Sequence, residues 1–233
     1  VLRDEVFIVL ALSLLQSAVY SIIDLLSAPL RGVAVGTFSG NVQLATQLAN
    51  IAFGLAPVWL VLHLMRRSGE GPQAIGLTSD RPGEDVLTGV GLAAIVGGVG
   101  IGIYLAAVAL GVNRIVYPIP PTGHWWTVPV LVLGSAQFAL LEETVVVGYL
   151  ITRLGQLGWT PWRAVVTSAV LRGSYHLYQG WGGFLGNLLL GLFFGVLYLR
   201  WRRIWPLVVA HCLVDIGAGV GYLLFKSHLP GLS

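Results

Sequence analysis

Residues 86–110 read VLTGVGLAAIVGGVGIGIYLAAVAL, a run without a single charged side chain that begins directly after Asp85. As a helix rising about 1.5 Å per residue it is about 37 Å long, more than the ~30 Å of a bilayer's hydrocarbon core. Inside that core the backbone must satisfy its own N–H and C=O groups, which a helix does within one segment. Working outward, six more apolar segments recur at approximately 6–26, 48–65, 127–154, 162–178, 181–199 and 204–225. The expectation is an all-α, polytopic membrane helical bundle of about seven transmembrane helices, forming one integral membrane domain over residues 1–233. The first segment follows Arg3, Asp4 and Glu5 without a small-residue cleavage site, so it reads as a retained helix and not as a signal peptide.

Composition agrees with this reading. Hydrophobic residues make up 56% of the chain and charged residues 10%, with mean hydropathy +0.82, which excludes an ordinary soluble domain. Glycine is abundant, at 31 residues, as expected where helices approach through small side chains. The net charge of +3 does not mark a nucleic-acid surface, because the 13 basic residues are dispersed at the ends of apolar runs. The expected partner is the lipid bilayer, with no nucleic acid. Cys212 is the one cysteine, so the chain has neither an intrachain disulfide nor a thiolate metal cluster.

If seven spans alternate, one side collects Arg3, Arg66, Arg67, Arg81, Arg153, Arg163, Arg200, Arg202 and Arg203. The other collects Arg31, Arg114 and Lys226, and Arg172 is left inside a span. Cytoplasmic loops carry the excess of Lys and Arg, so the N-terminus is expected in the cytoplasm. Trp125, Trp126, Trp159, Trp162, Trp181, Trp201 and Trp205 fall at span ends, where interfacial aromatic belts form.

Ionisable residues within the apolar runs carry the functional signal. After residue 85 the only acids are Glu142, Glu143 and Asp215, all within apolar segments, and His176 and His211 join them. Each acid at mid-membrane costs roughly 2.5–3.5 kcal/mol on insertion scales, so such groups are paired or used. Counting from the arginines at the span ends, Glu142 lies about 16 Å deep, His176 about 20 Å, His211 about 12 Å and Asp215 about 18 Å. Three helices thus bring polar groups into one slab. His211 and Asp215, four residues apart, share a helix face. Adjacent Glu142 and Glu143 point about 100° apart, so one is expected to face the site and the other to support it.

A carboxylate that deprotonates water, an imidazole that shares the proton and a polar pair that stabilises an oxyanion are the needs of peptide hydrolysis. Glu142, His176, His211 and Asp215 are also suitable ligands for one divalent metal, zinc first, which would acidify a bound water. Residue types alone leave both open, beside a purely structural cluster such as Glu143 paired with Arg172.

Three motifs in order, Glu142-Glu143-Thr-Val-Val-Val-Gly148-Tyr149-Leu150, Arg172-Gly-Ser-Tyr-His176 and His211-Cys-Leu-Val-Asp215, resemble those of the CPBP (CAAX protease and bacteriocin-processing) or Abi family. That family includes the type II CAAX prenyl endopeptidases, with motifs EExxxR, FxxxH and HxxxN or HxxxD. The resemblance spans residues 127–225, with a weaker likeness at Pro72–Leu77. It implies an intramembrane endopeptidase, glutamate-dependent or metallo, acting on a membrane-embedded or lipidated peptide or protein. It implies Glu142 as the water-activating carboxylate, His176 as its partner, Glu143 as support, and His211 and Asp215 on the oxyanion or metal side. The family arginine is Val147 here, and Arg172 stands where phenylalanine is common. Arg172, one turn from His176, is expected to restore the missing charge against Glu143.

Other signatures fail. No His-Glu-x-x-His pair is present, and Ser174 lies on a different helix face from His176. Gly98 with Gly102 and Gly191 with Gly195 read as helix-packing pairs, and Gln137 and Asn187 as amides that bond locally. His63, His124 and His228 fall near span ends. Two other functions compete: a proton- or cation-coupled transporter, which would use the same intramembrane acids, and an inactive immunity or scaffold protein, to which Val147 points. No inverted repeat supports transport.

Overall fold

The computed structural model describes residues 2–14, 17–18, 33–34, 40–113, 116–117 and 124–225. Among the described residues the regular structure is helical, apart from a two-residue parallel pairing of Val33–Ala34 with Val116–Tyr117 and an isolated bridge between Asn113 and Gly180. Four helices among the described residues are long and apolar enough to cross a membrane: Pro82–Ala109, Thr127–Gln156, Trp181–Trp201 and Trp205–Leu224. They correspond to four of the seven expected spans and make this an integral membrane architecture. The first expected span is described only in part, as the helix Leu2–Ala11. The second is divided into Gly40–Gly54 and Ala56–Arg67, where Pro57 cannot donate to the preceding turn. The fifth is the 15-residue helix Pro161–Tyr175, about 22 Å long and too short to span alone. Arg31, Arg114, Lys226 and His228 lie outside the described residues.

Burial ranks the helices. Thr127–Gln156 is the central one, with 61% of its apolar window buried, against 11% for Pro82–Ala109. The latter presents Leu87, Ile95, Val99 and Leu105 outward, as a lipid-facing helix does. The final helix, Trp205–Phe225, lies between the two and packs along both. Gly89 permits this approach, since a Cβ there would sit 2.5 Å from Val209. Pro161–Tyr175 packs on Trp181–Trp201 across the Gly191/Gly195 pair, where added Cβ atoms would meet Ala169 and Val165 at 2.8 Å. The Gly98/Gly102 pair does not pack in this way: added Cβ atoms there meet nothing within 4 Å among the described residues.

At the arginine-rich end of the bundle, the short 3-10 turn Pro72–Ile75 is held between the central helix and the Arg202–Ile204 turn. Ile204 N–H donates to Gly76 O at 3.1 Å. Gly76 has φ +82, which glycine adopts without a Cβ clash. Trp181, Trp201 and Trp205 fall at helix ends as expected, while Trp126 departs from the interfacial reading and is buried.

Candidate active site

The central helix changes character where the paired glutamates begin. It is α-helical over Thr127–Glu142, π-helical over Glu143–Tyr149 and α-helical again from Leu150. The run Thr144-Val145-Val146-Val147 is β-branched throughout, which weakens the α ladder, and neighbouring side chains take up carbonyls of the widened turn. Ser168 Oγ donates to Val146 O at 2.7 Å, and Tyr198 OH donates to Gly148 O at 3.2 Å. Gly148 also lets the Pro72–Ile75 turn close in, for a Cβ there would lie 2.8 Å from Ile75 O.

The π turn follows directly on Glu142, and both carboxylates reach the same guanidinium. Arg172 Nη1 donates to Glu143 Oε1 at 2.8 Å and Nη2 lies 3.3 Å from Glu142 Oε2. The two glutamates meet different nitrogens of that guanidinium, Glu143 at Nη1 and Glu142 at Nη2. The contact between Arg172 and Glu143 expected from the sequence is present, with Arg172 and Glu143 both fully buried.

His211, on the final helix, closes the cluster. Its Nδ1 donates to Glu143 Oε1 at 2.8 Å, and Arg172 Nη2 lies 3.2 Å from the same nitrogen. Its Nε2 is 3.4 Å from Asp215 Oδ2 one turn later, and the Asp215 side chain is 38% exposed, so the cluster runs from a dry centre toward an open edge. His176 ends the Arg172 helix and lies at its rim, half-buried. Its Nδ1 donates to Arg172 O at 3.0 Å, and its ring lies 4.7 Å from that of Tyr175. Tyr175 OH in turn donates to Glu142 Oε2 at 2.8 Å. The structure thus joins Glu142, Glu143, Arg172 and His211 directly, Asp215 through His211, and His176 through Arg172 and Tyr175.

The described ligand atoms that could hold a metal ion are one each from Glu142, Glu143 and His211, all within 4.8 Å of one another. This set shares Glu142 and His211 with the expected Glu142, His176, His211 and Asp215 and adds Glu143, while His176 Nδ1 bonds Arg172 O of its own helix. The donor types suit zinc. Their occupancy does not: the Arg172 guanidinium touches all three residues, and His211 Nδ1 is turned to Glu143. As arranged, the cluster is centred on an organic cation.

Sequence reading missed Tyr175, Ser168 and Tyr198. Tyr175 had a signal, a phenol beside the motif histidine in an apolar segment. It also took Arg153 as a surface marker, whereas that side chain is buried. Arg153 bonds Glu5 at 3.1 Å, Glu70, Gln156 at 2.6 Å and Ser68 at 3.3 Å, and Tyr149 OH donates to Glu5 at 3.0 Å. This second network ties the helix Leu2–Ala11 and the Ser68–Glu70 turn to the end of the central helix. Of the remaining polar candidates, Asn187 bonds Gly183 O at 3.0 Å and Ser174 bonds Val170 O at 2.7 Å, both local bonds to their own helices.

Fold and cluster define a helical membrane protein with a buried, paired-carboxylate centre. Residues 124–217 match the family model described as type II CAAX prenyl endopeptidase Rce1-like, which bears out the resemblance over the stretch that holds all three motifs. No curated protein and no solved structure matches the chain.

Proposed function

We propose that the chain is an intramembrane endopeptidase that hydrolyses a peptide bond of a membrane-embedded or lipidated peptide or protein. The observation that carries this reading is the position of Glu142, at the start of a π turn in the most buried of the four described membrane-length helices, among Glu143, Arg172 and His211. The match to an endopeptidase family over the same residues supports it. In this reading residues 1–233 form one membrane domain whose catalytic motifs lie in 127–225, with the N-terminus in the cytoplasm.

Glu142 takes a proton from water as the water oxygen attacks the peptide carbonyl carbon. The electron pair of the carbonyl moves to oxygen, where His211 Nε2–H, which lies 3.4 Å from Asp215 Oδ2 before substrate enters, turns to donate to the developing charge while Nδ1–H keeps its bond to Glu143. As the C–N bond breaks, Glu142 returns the proton to the departing nitrogen, leaving one new carboxyl and one new amine. His176 helps orient the water. Glu143 and Arg172 fix the cluster, with Arg172 supplying the positive charge that the family carries at the Val147 position. A metal, if one bound, would acidify water beside Glu142, Glu143 and His211. An inactive family member is the second reading, favoured by Val147 alone, and the presence of Arg172 beside Glu143 weakens it.

The test is Glu142→Gln in purified protein presented with a panel of membrane peptides. Turnover should fall by roughly 10²- to 10⁴-fold while the protein stays folded. Full activity of this variant would remove the proposed base and the reading with it.

A further inference from the structure

The two oxygens of Glu142 are not equivalent. Oε2 receives the Tyr175 hydroxyl at 2.8 Å and lies 3.3 Å from Arg172 Nη2, whereas Oε1 has no hydrogen-bond or ion-pair partner among the described residues. Tyr175 and Arg172 come from the same helix, Pro161–Tyr175, three residues apart, so they reach the carboxylate from one side. A carboxylate fixed by two donors on one oxygen cannot rotate freely about its last torsion, and the other oxygen is held in one direction.

We infer that Tyr175 is a positioning residue that holds Glu142 by Oε2 and thereby makes Oε1 the oxygen that exchanges a proton with water. The inference rests on Glu142 being the base and adds which oxygen acts and what aims it. Local structure favours this role. Tyr175 is buried at the last turn of its helix, where His176 closes the helix and Leu177–Gln179 turns away. The phenol is therefore anchored by its own packing and presents a hydroxyl to the cluster. Its ring also lies against that of His176, so one side chain sets both the carboxylate and the imidazole that serve the water. During the reaction the Tyr175 O–H bond stays intact. The proton moves from water to Oε1 and then from Oε1 to the leaving nitrogen, while Oε2 keeps its donors.

The experiment compares Tyr175→Phe, Glu142→Gln and Ser174→Ala, in the full chain, on a membrane peptide that the unaltered protein cleaves. Tyr175→Phe removes one oxygen and keeps the ring. Its kcat should fall by roughly 10- to 100-fold, the size expected for one hydrogen bond to a charged group, with KM within about twofold. Ser174→Ala, whose hydroxyl bonds only Val170 O of its own helix, should match the unaltered chain. A second measurement is independent of turnover and keeps the hydroxyl: a fluorinated tyrosine at position 175 gives a fluorine NMR resonance that should move with Glu142→Gln. Unchanged kcat in Tyr175→Phe while Glu142→Gln is inactive would overturn the inference and spare the protease reading. A stationary fluorine resonance would also overturn it. Activity retained by Glu142→Gln would instead strike the protease reading, and a resonance that still moves would uphold only the contact.

Discussion

Arg172 and Glu143, 29 positions apart in sequence and on different helices, form a fully buried ion pair with Nη1 2.8 Å from Oε1. In the proposed reading Arg172 supplies the positive charge that the related motif carries as arginine where Val147 stands here. Arg172→Leu leaves Glu143 buried and without its cation, a loss of about 3–5 kcal/mol for a broken buried pair. Val147 lies on the same π turn as Glu143, four residues on, so Val147→Arg added to Arg172→Leu should recover part of that stability. Thermal unfolding of the four proteins of this double-mutant cycle measures the coupling, and strictly additive losses would show that the two positions do not substitute for each other.

The fold was legible where apolar runs were long and uninterrupted, as at residues 86–110 and 181–199. It was less legible where local geometry intervened: Pro57 divides one expected span, and Pro161–Tyr175 is too short to make another. The candidate site was legible as residue types, because acids and histidines in apolar helices are costly enough to stand out. The Arg172–Glu143 contact was legible too, but the π turn at Glu143–Tyr149 was not, because depth counting assumes an unbroken α-helix. Ser168 and Tyr198, which bond carbonyls of that turn, come from other helices, and no pattern near Glu142 signals them. Arg153 misled for a related reason. Its position at a span end fits the charge rule, but its partners Glu5 and Glu70 come from distant segments.

The π turn makes its own prediction. Ser168→Ala leaves Val146 O buried without the hydroxyl, at a cost of about 1–3 kcal/mol. Gly148→Ala places a Cβ 2.8 Å from Ile75 O and must push the Pro72–Ile75 turn away, for about 1–3 kcal/mol. Both variants should also lower turnover, since each loosens the segment that follows Glu142. Unfolding midpoints in detergent and peptide cleavage rates together check this. Full stability in both would mean that the π turn needs neither support.

The Arg153 network predicts a stability effect away from the chemistry. Arg153→Leu strips Glu5 and Glu70 of their common cation, and because both acids keep some exposure a loss of about 1–3 kcal/mol is expected. Limited proteolysis should then cut first near Ser68–Glu70, because Arg153 bonds both that turn and the helix Leu2–Ala11, leaving Tyr149 to Glu5 and Gln156 to Glu70 as the remaining polar ties to the central helix. Unchanged cleavage kinetics would argue that packing of Met65 and Ile75 holds the turn by itself.

A pH effect is expected at the loop before Pro82–Ala109. Arg203 donates to Asp80 at 2.8 Å and to Asp85 at 2.8 and 2.7 Å, and the Arg203 hydrogen bond holds the Asp80 carboxyl below its usual value of 3.8. A depressed carboxyl contributes order that is complete above 3.8 and is lost as pH falls through the lower folded value. Hydrogen exchange of residues 78–81 should therefore quicken only below about pH 4. In Asp80→Asn that acid-induced step should disappear, and a step that persists would assign it to another carboxyl.

The last prediction concerns the centre of the cluster, where a metal and a guanidinium compete for the same ligands. Glu142, Glu143 and His211 offer oxygen and nitrogen atoms within 4.8 Å of one another, a spacing that suits a small divalent cation. Arg172 contacts all three, and a positive ion placed among them would be repelled by its fixed charge at close range. The unaltered chain should accordingly keep its activity in chelator and show no tight cobalt binding. Arg172→Ala removes the cation and opens the volume it filled, leaving two carboxylates and one imidazole at a common point. That variant should take up cobalt with the visible absorption of a low-coordinate site, and Glu143→Gln or His211→Ala added to it should abolish the spectrum. Because the absorption band does not depend on peptide cleavage, the result stands whether or not the variant turns over. Tight cobalt binding by the unaltered chain, with loss of activity in chelator, would show that Arg172 yields its position to the metal and would return the water-activating role to that ion.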